Sequence, residues 1–225
     1  MVMVEKDTRP HVLKVLKYRK MLDWDEKPYF CTKINAMYTK RTFLAIHIPT
    51  GTEYPLMVER LKKNLPHEKF INYCRPENIH LTLKFLGSTP VDDIPNIIEA
   101  CQKVAKRHQP FTMDFDRTGF FGSNHVPRVL WLGMNDQPQA LFDLEADLLD
   151  AFDDVGYLRD RQNFVPHLTV CRIKSLVDKQ FFLKVCNGIE QKTYLHADVK
   201  ELVYLQSILQ PTGPIYKVIK TIPLG

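Results

Sequence analysis

The sequence contains neither a pair of cysteines at metal-binding spacing nor a hydrophobic run of membrane length. Its 225 residues include five cysteines, an odd number without a C-x-x-C pair, which argues against a disulfide framework and against a zinc site. No apolar run approaches the ~18 residues of a membrane-spanning helix, and charges among the first residues argue against a secretory signal. We therefore expect a cytoplasmic protein with free thiols and no membrane partner.

A strong excess of charge of one sign is also missing. The formal net charge is +5, from 31 Lys and Arg against 26 Asp and Glu. Most of that excess lies in residues 1–40, which hold nine basic and five acidic side chains. The remainder is nearly neutral, so a broad basic surface for duplex nucleic acid is not indicated, and a phosphate site is expected in a local cleft.

Residues 1–40 differ from the rest of the chain in pattern as well as charge. Pro10 and Pro28 limit any helix there, and Met37 lies just before the first strong strand. We predict an N-terminal basic extension over residues 1–40, either loosely ordered or an arm that helps to bind nucleic acid. One domain is predicted over residues 41–225, because no Gly/Ser-rich linker divides it.

From residue 41 onward, apolar residues recur at strand and helix spacing. Segments with strand-like alternation surround four predicted helices, over residues 52–65, 91–108, 138–155 and 179–187. This order of elements favours an α+β fold with two similar lobes.

Two stretches of the chain repeat one short pattern. They are HLTLKFLG, residues 80–87, and HLTVCRI, residues 167–173. Because alternate side chains of a strand point to opposite faces, His80, Thr82 and Lys84 are predicted to share one face of the first strand. His167 and Thr169 share one face of the second. Polar faces are costly to bury without partners, so the two are expected to meet in a small polar cleft.

The residue types of these faces suit acid–base chemistry on a phosphate. Imidazole titrates near neutrality, so one ring can accept a proton from water while the other donates one to a leaving oxygen. The threonine hydroxyls can hold phosphate oxygens in line. Neither a metal nor another cofactor is needed. One His-x-Thr triplet is usually structural, but a second copy in a matching context favours catalysis.

The paired tetrads HLTL and HLTV resemble the signature of the two-histidine phosphoesterase superfamily. The segments RTFLAIHIP, NIHLTLKFLG, RVLWLGM and FVPHLTV are similar to strands of its LigT-like RNA 2′,3′-cyclic phosphodiesterases, formerly called 2′–5′ RNA ligases. The resemblance covers about residues 41–223. It implies a bilobal α+β fold with pseudo-twofold symmetry, two antiparallel sheets with flanking helices, and an active-site cleft between the lobes.

The resemblance also implies a reaction and its residues. The reaction is metal-independent hydrolysis of a terminal 2′,3′-cyclic phosphate of RNA to a 2′-phosphomonoester. His80 would be the proton donor and His167 the proton acceptor, while Thr82 and Thr169 would bind the phosphate. The expected partner is an RNA or nucleotide bearing a cyclic phosphate, bound by a monomer.

Three further residues are candidates for substrate binding. Arg128 in PRVLWLG matches an arginine of the family pattern and could neutralise phosphate, although a surface charge is an equal interpretation. Phe43 and Tyr216 could stack on a base, although such a phenylalanine is more often part of a core.

Two other functions fit the same residues. One is a phosphodiesterase of the superfamily that acts on another cyclic or 2′–5′-linked nucleotide, which the tetrads do not separate because they contact phosphate and not nucleoside. The other is a non-catalytic nucleotide-binding module. Intact histidines in both motifs argue against the second, because binding alone would tolerate the loss of one.

Overall fold

Alternating and helical patterns of apolar residues produce ten strands and four α-helices among the residues that the structure describes. It is a computed structural model, and these residues are 38–123, 126–159, 163–211 and 213–225. The strands are β1 Thr39–His47, β2 Ile71–Tyr73, β3 His80–Pro90, β4 Phe111–Phe115, β5 Arg117–Ser123, β6 Val126–Gly133, β7 Leu168–Ile173, β8 Leu195–Val199, β9 Glu201–Ile208 and β10 Ile215–Pro223. The α-helices are α1 Glu53–Asn64, α2 Ile94–Ala105, α3 Gln139–Asp154 and α4 Lys179–Asn187.

The predicted N-terminal extension falls outside the described residues, apart from its last three. Of the helices in the described part of the chain, none has the length and apolar character needed to cross a membrane.

Eight of the strands form one antiparallel sheet in which two halves meet at the strands that carry the motifs. The order is β10-β9-β1-β3-β7-β6-β5, and β2 also pairs with β7, while β4 and β8 form a separate pair. Leu81 of β3 pairs with Leu168 of β7. Further along β7 its partner is β2, which pairs Tyr73 with Cys171. The predicted α+β class with antiparallel sheets is confirmed, and the sheets of the two lobes are joined at the leucine pair.

A β-bulge follows the His-x-Thr triplet of the first motif. Consecutive residues of β1 pair with Thr82 and Lys84, so Leu83 is the extra residue. The bulge reverses the alternation. Lys84 therefore lies on the core side, 4% exposed, where its Nζ donates to the Leu158 carbonyl oxygen at 2.8 Å. Phe85 lies instead on the motif face, and the prediction that Lys84 shares that face is wrong.

The second motif contains the same irregularity at the equivalent position. Consecutive residues of β6 pair with Thr169 and Cys171, so Val170 is the extra residue of β7. Cys171 is buried, while Arg172 returns to the face of Thr169. The repetition of the bulge one residue after each threonine supports a pseudo-twofold relation between the halves.

The helices cover the face of the sheet opposite to the motifs. They pack in pairs, α1 against α4 and α2 against α3, over a large apolar core that includes the buried leucine pair. The motif face of the first half carries a smaller apolar cluster of its own. Its members are Phe43, Ala45, Val203 and Leu205, with Tyr216 packed against them. The motif residues of this half therefore stand at the edge of a rigid apolar surface.

Candidate active site

The leucine pair at the centre of the sheet brings the polar faces of the two motifs together. Because β3 and β7 run antiparallel there, His80 lies across from Thr169, and Thr82 lies across from His167. Neighbouring strands are about 4.8 Å apart, so the four side chains surround one small area. Thr82 and His167 both line a cavity of about 570 Å³. The predicted meeting of the two motifs is therefore confirmed.

Each motif histidine is fixed through Nδ1 to a main-chain carbonyl two residues earlier. Nδ1 of His80 lies 2.7 Å from the Asn78 oxygen, and Nδ1 of His167 lies 2.7 Å from the Val165 oxygen. A carbonyl oxygen only accepts hydrogen bonds, so Nδ1 carries a proton in both rings. Nε2 makes no hydrogen bond with the described residues in either ring, which leaves it available to exchange a proton with a bound molecule.

Aromatic side chains hold both rings in place. Phe43 and Tyr216 each contact His80 with ring centroids 5.0 Å apart. Phe121 packs edge-on against His167 at 4.6 Å. Phe43 is 1% exposed, so it supports His80 from behind and has no free face for a base, contrary to the prediction that it stacks on substrate. Tyr216 is partly exposed beside His80, and its contact with substrate stays a prediction.

Asn78 connects the anchor of His80 to the hairpin between β9 and β10. Its main-chain oxygen accepts the hydrogen bond from His80, and its side-chain Nδ2 donates to the Pro214 oxygen at 3.2 Å. Pro214 comes two residues before Tyr216, which contacts the same histidine. The orientation of His80 therefore depends on the hairpin between β9 and β10 as well as on its own strand, β3.

The two threonines present free hydroxyl groups beside the histidines. Neither Thr82 nor Thr169 makes a side-chain hydrogen bond within the described part of the chain, and both are partly exposed. They are therefore available to donate to a bound anion. Over the same residues, no three His, Cys, Asp or Glu side chains come together as a metal site requires.

Burial lowers the pKa of both motif histidines. For His80, loss of water is the largest cause; the Asn78 carbonyl opposes it, and the charges of His167, His47 and Arg172 add to it. For His167, loss of water is again the largest cause; the Val165 carbonyl opposes it, and the charge of Arg172 adds to it. Both pKa values lie below the ordinary 6.5, and protonation of His167 disfavours protonation of His80.

Arg172 is a cation of the site that sequence reasoning missed. The bulge in β7 returns it to the motif face, and its charge lowers the pKa of His80 and of His167. Burial raises the pKa of Tyr216, and the charge of Arg172 lowers it. Arg172 is thus within electrostatic reach of both motifs. The sequence shows Arg172 five residues after His167, but strict alternation of side chains assigns it to the core side of the strand.

Arg128 lies further from the histidines. Its guanidinium Nη1 donates to the Lys174 oxygen at 3.2 Å, just past the end of β7. The next residue, Val129, pairs with Arg172, which places Arg128 beyond that position along β6. A role for Arg128 in substrate binding stays a prediction, and the structure offers Arg172 as the cation nearer to the motifs.

Comparisons with known proteins agree with this arrangement. A family model described as "LigT like Phosphoesterase" matches residues 53–131, which contain the first motif. Among the relatives of the chain are two proteins named RNA 2′,3′-cyclic phosphodiesterase. The one from Thermotoga maritima is 31% identical over 180 residues, which are 80% of this chain and 92% of the relative. The one from Aquifex aeolicus is 29% identical over 170 residues, or 75% of this chain and 90% of the relative.

Solved structures share the fold at lower identity. Escherichia coli LigT complexed with 3′-AMP superposes with a TM-score of 0.66 at 22% identity, covering 83% of this chain and 99% of that one. A protein of Thermus thermophilus has a TM-score of 0.67 at 24% identity, covering 82% and 97% of the two chains. With the family model and the identity to the Thermotoga maritima relative, these findings show that the chain belongs to the LigT-like phosphoesterase family.

Proposed function

We propose that the protein hydrolyses the 2′,3′-cyclic phosphate at the end of an RNA to a 2′-phosphomonoester. The observation that carries the proposal is the pair of histidines on one face, each with Nδ1 bonded to a carbonyl and with Nε2 unbonded to any described residue. The relatives named RNA 2′,3′-cyclic phosphodiesterase support the choice of substrate. The chain alone supplies both motifs, so a monomer remains our prediction.

The phosphate is placed between the motifs by groups that bind negative charge. Thr82 and Thr169 donate hydrogen bonds to its non-bridging oxygens from the two strands. Arg172 supplies a full positive charge from the same face, and its fork of N–H groups suits phosphate oxygens. The strands that carry these groups are paired within the sheet, so the groups can stabilise the extra charge of the transition state with little rearrangement of the backbone.

Proton transfer then uses the two Nε2 atoms. Nε2 of His167 removes a proton from water as the water oxygen bonds to phosphorus. The bond from phosphorus to O3′ breaks, and O3′ takes the proton from Nε2 of His80. The products are a 2′-phosphate and a free 3′-hydroxyl, and exchange with solvent resets both rings. The donor and acceptor roles follow the family resemblance.

An RNA oligonucleotide ending in a 2′,3′-cyclic phosphate tests this proposal. The purified protein is expected to convert it to the 2′-phosphate, identified by chromatography against both isomers, and EDTA is expected to leave the rate unchanged. A 3′-phosphate product, or activity that EDTA abolishes and zinc restores, contradicts the mechanism. Turnover of only 3′,5′-cyclic or 2′–5′-linked nucleotides would favour the related phosphodiesterase activity instead.

The dependence of kcat/KM on pH is expected to be bell-shaped with its maximum below pH 6.5. Activity requires one neutral and one protonated ring, and burial lowers the pKa of both below that value. Raising the pH removes the proton of the donor, and lowering it protonates the acceptor. Initial rates at low substrate concentration measure this profile. A maximum well above neutrality would show that the two buried rings are not the titrating pair.

A further inference from the structure

The cavity beside the motifs also reaches helix α3. Its lining includes Thr82 and His167 of the motifs, the buried Lys84 of β3, and Glu145 of α3. Three aromatic side chains line it as well: Phe85, Phe121 and Phe164. The volume of about 570 Å³ is within the range of about 300–1,000 Å³ typical of small-molecule sites. The cavity can therefore hold more than the phosphate group.

The aromatic walls are well placed to contact a flat ring. Phe121 is fixed by its edge-on contact with His167, and Phe164 packs edge-on against Phe142 of α3 with centroids 6.0 Å apart. Phe85 is 55% exposed, because the bulge in β3 turns it to the motif face. Unpaired bases of RNA bind by stacking on such exposed aromatic rings.

Glu145 places a carboxyl group in this cavity, within electrostatic reach of Arg159 and Lys84. Among the described residues, none forms a hydrogen bond or an ion pair with it. Burial raises its pKa, and the charges of Arg159 and Lys84 oppose that effect. An ionised carboxylate accepts hydrogen bonds and donates none, so this group is suited to a ligand that presents N–H donors.

We propose that this cavity binds the base of the terminal nucleotide and that Glu145 in its wall selects guanine. This inference rests on the proposed function, which places the cyclic phosphate at Thr82 and His167. Guanine carries two adjacent donors, N1–H and the 2-amino group, on the edge that faces away from the ribose. Each oxygen of one carboxylate can accept from one of them, whereas adenine, cytosine and uracil do not present two adjacent donors.

Rates with the four nucleoside 2′,3′-cyclic monophosphates test the selection. Wild type is expected to prefer guanine by about tenfold in kcat/KM, which is the discrimination expected of one bidentate base contact. Glu145→Gln should remove that preference by lowering the rate with guanine alone. Asp143→Asn is the matched control. Asp143 is exposed on the same helix, and its Oδ1 accepts a hydrogen bond from Gln139 Nε2 at 2.9 Å. Equal loss with all four bases would overturn the proposal.

Binding of nucleoside 2′-monophosphates separates this inference from the proposed function. In calorimetry, wild type is expected to bind guanosine 2′-monophosphate more tightly than uridine 2′-monophosphate. Glu145→Gln is expected to bind the two ligands equally. If this difference is present but no cyclic phosphate is hydrolysed, the proposed function fails and the base site stands. If all four substrates are hydrolysed but guanosine binds no more tightly than uridine, the base site is wrong and the proposed function stands.

Discussion

Replacing His167 or His80 with alanine is expected to lower kcat by about 10³–10⁴-fold, at the upper end of what one acid or base group contributes. Each ring supplies the Nε2 atom that moves a proton in the same step. His47 pairs with His80 on the same face, but it lies on β1, on the side of β3 away from Thr169. Because the rings act as a unit, the double variant should be little slower than either single variant. Single-turnover rates with the cyclic-terminated RNA measure the loss.

Asparagine variants show whether that loss reflects chemistry or folding. Asparagine at position 80 or 167 can still donate to the carbonyl that anchors Nδ1, but it has no atom that replaces Nε2. We expect His80→Asn and His167→Asn to keep a melting temperature close to that of wild type and to be as inactive as the alanine variants. His67→Ala, at an exposed position, should be unchanged. Activity of an asparagine variant within tenfold of wild type would exclude the two-histidine mechanism.

Sequence reasoning succeeded where the signal was local and repeated. The strands that carry the motifs were predicted because apolar alternation is strong in both, and the repeated triplet predicted that they would meet. The observed β3, His80–Pro90, contains the whole first motif, and β7, Leu168–Ile173, contains the second motif except for His167. β2 was missed because three residues, Ile71–Tyr73, are too few to show alternation.

Predictions of which face a side chain occupies failed after each threonine. The extra residues Leu83 and Val170 resemble ordinary core positions, and each becomes a bulge only through the register of the neighbouring strand. Strict alternation therefore placed Lys84 on the motif face of its strand and Arg172 on the core face, the reverse of the faces observed. The register depends on long-range pairing, which one strand alone does not reveal.

The remaining site residues depend on tertiary packing. In the sequence, Glu145 is one of several acidic residues of a predicted helix and lies between Asp143 and Asp147. Only the position of α3 in the fold places it in the cavity. Phe43 was proposed as a surface for a base, but the packing of Tyr216 and His80 over its ring buries it. Hydrophobicity alone does not distinguish an exposed aromatic wall from a buried support.

Arg172→Ala is expected to lower kcat/KM by about 10²-fold, the loss typical of one group that stabilises transition-state charge. The side chain lies on the motif face within electrostatic reach of both histidines, and in the proposed mechanism it supplies the positive charge beside the phosphate. Arg172→Lys should recover about tenfold, because lysine keeps the charge and loses the fork of donors. Arg128→Ala is the matched control, and we expect it to stay within about threefold of wild type.

The pH profile of Arg172→Ala distinguishes lost charge from disturbed structure. In wild type the charge of Arg172 helps to lower the pKa of both motif histidines, so its removal should raise both values. The maximum of kcat/KM is therefore expected to move to higher pH in Arg172→Ala and to stay in place in Arg172→Lys. A lower rate with an unmoved maximum would show that Arg172 only maintains the strand. A larger loss in Arg128→Ala than in Arg172→Ala would show that the anion is bound by Arg128, the arginine that matches the family pattern, and not by Arg172.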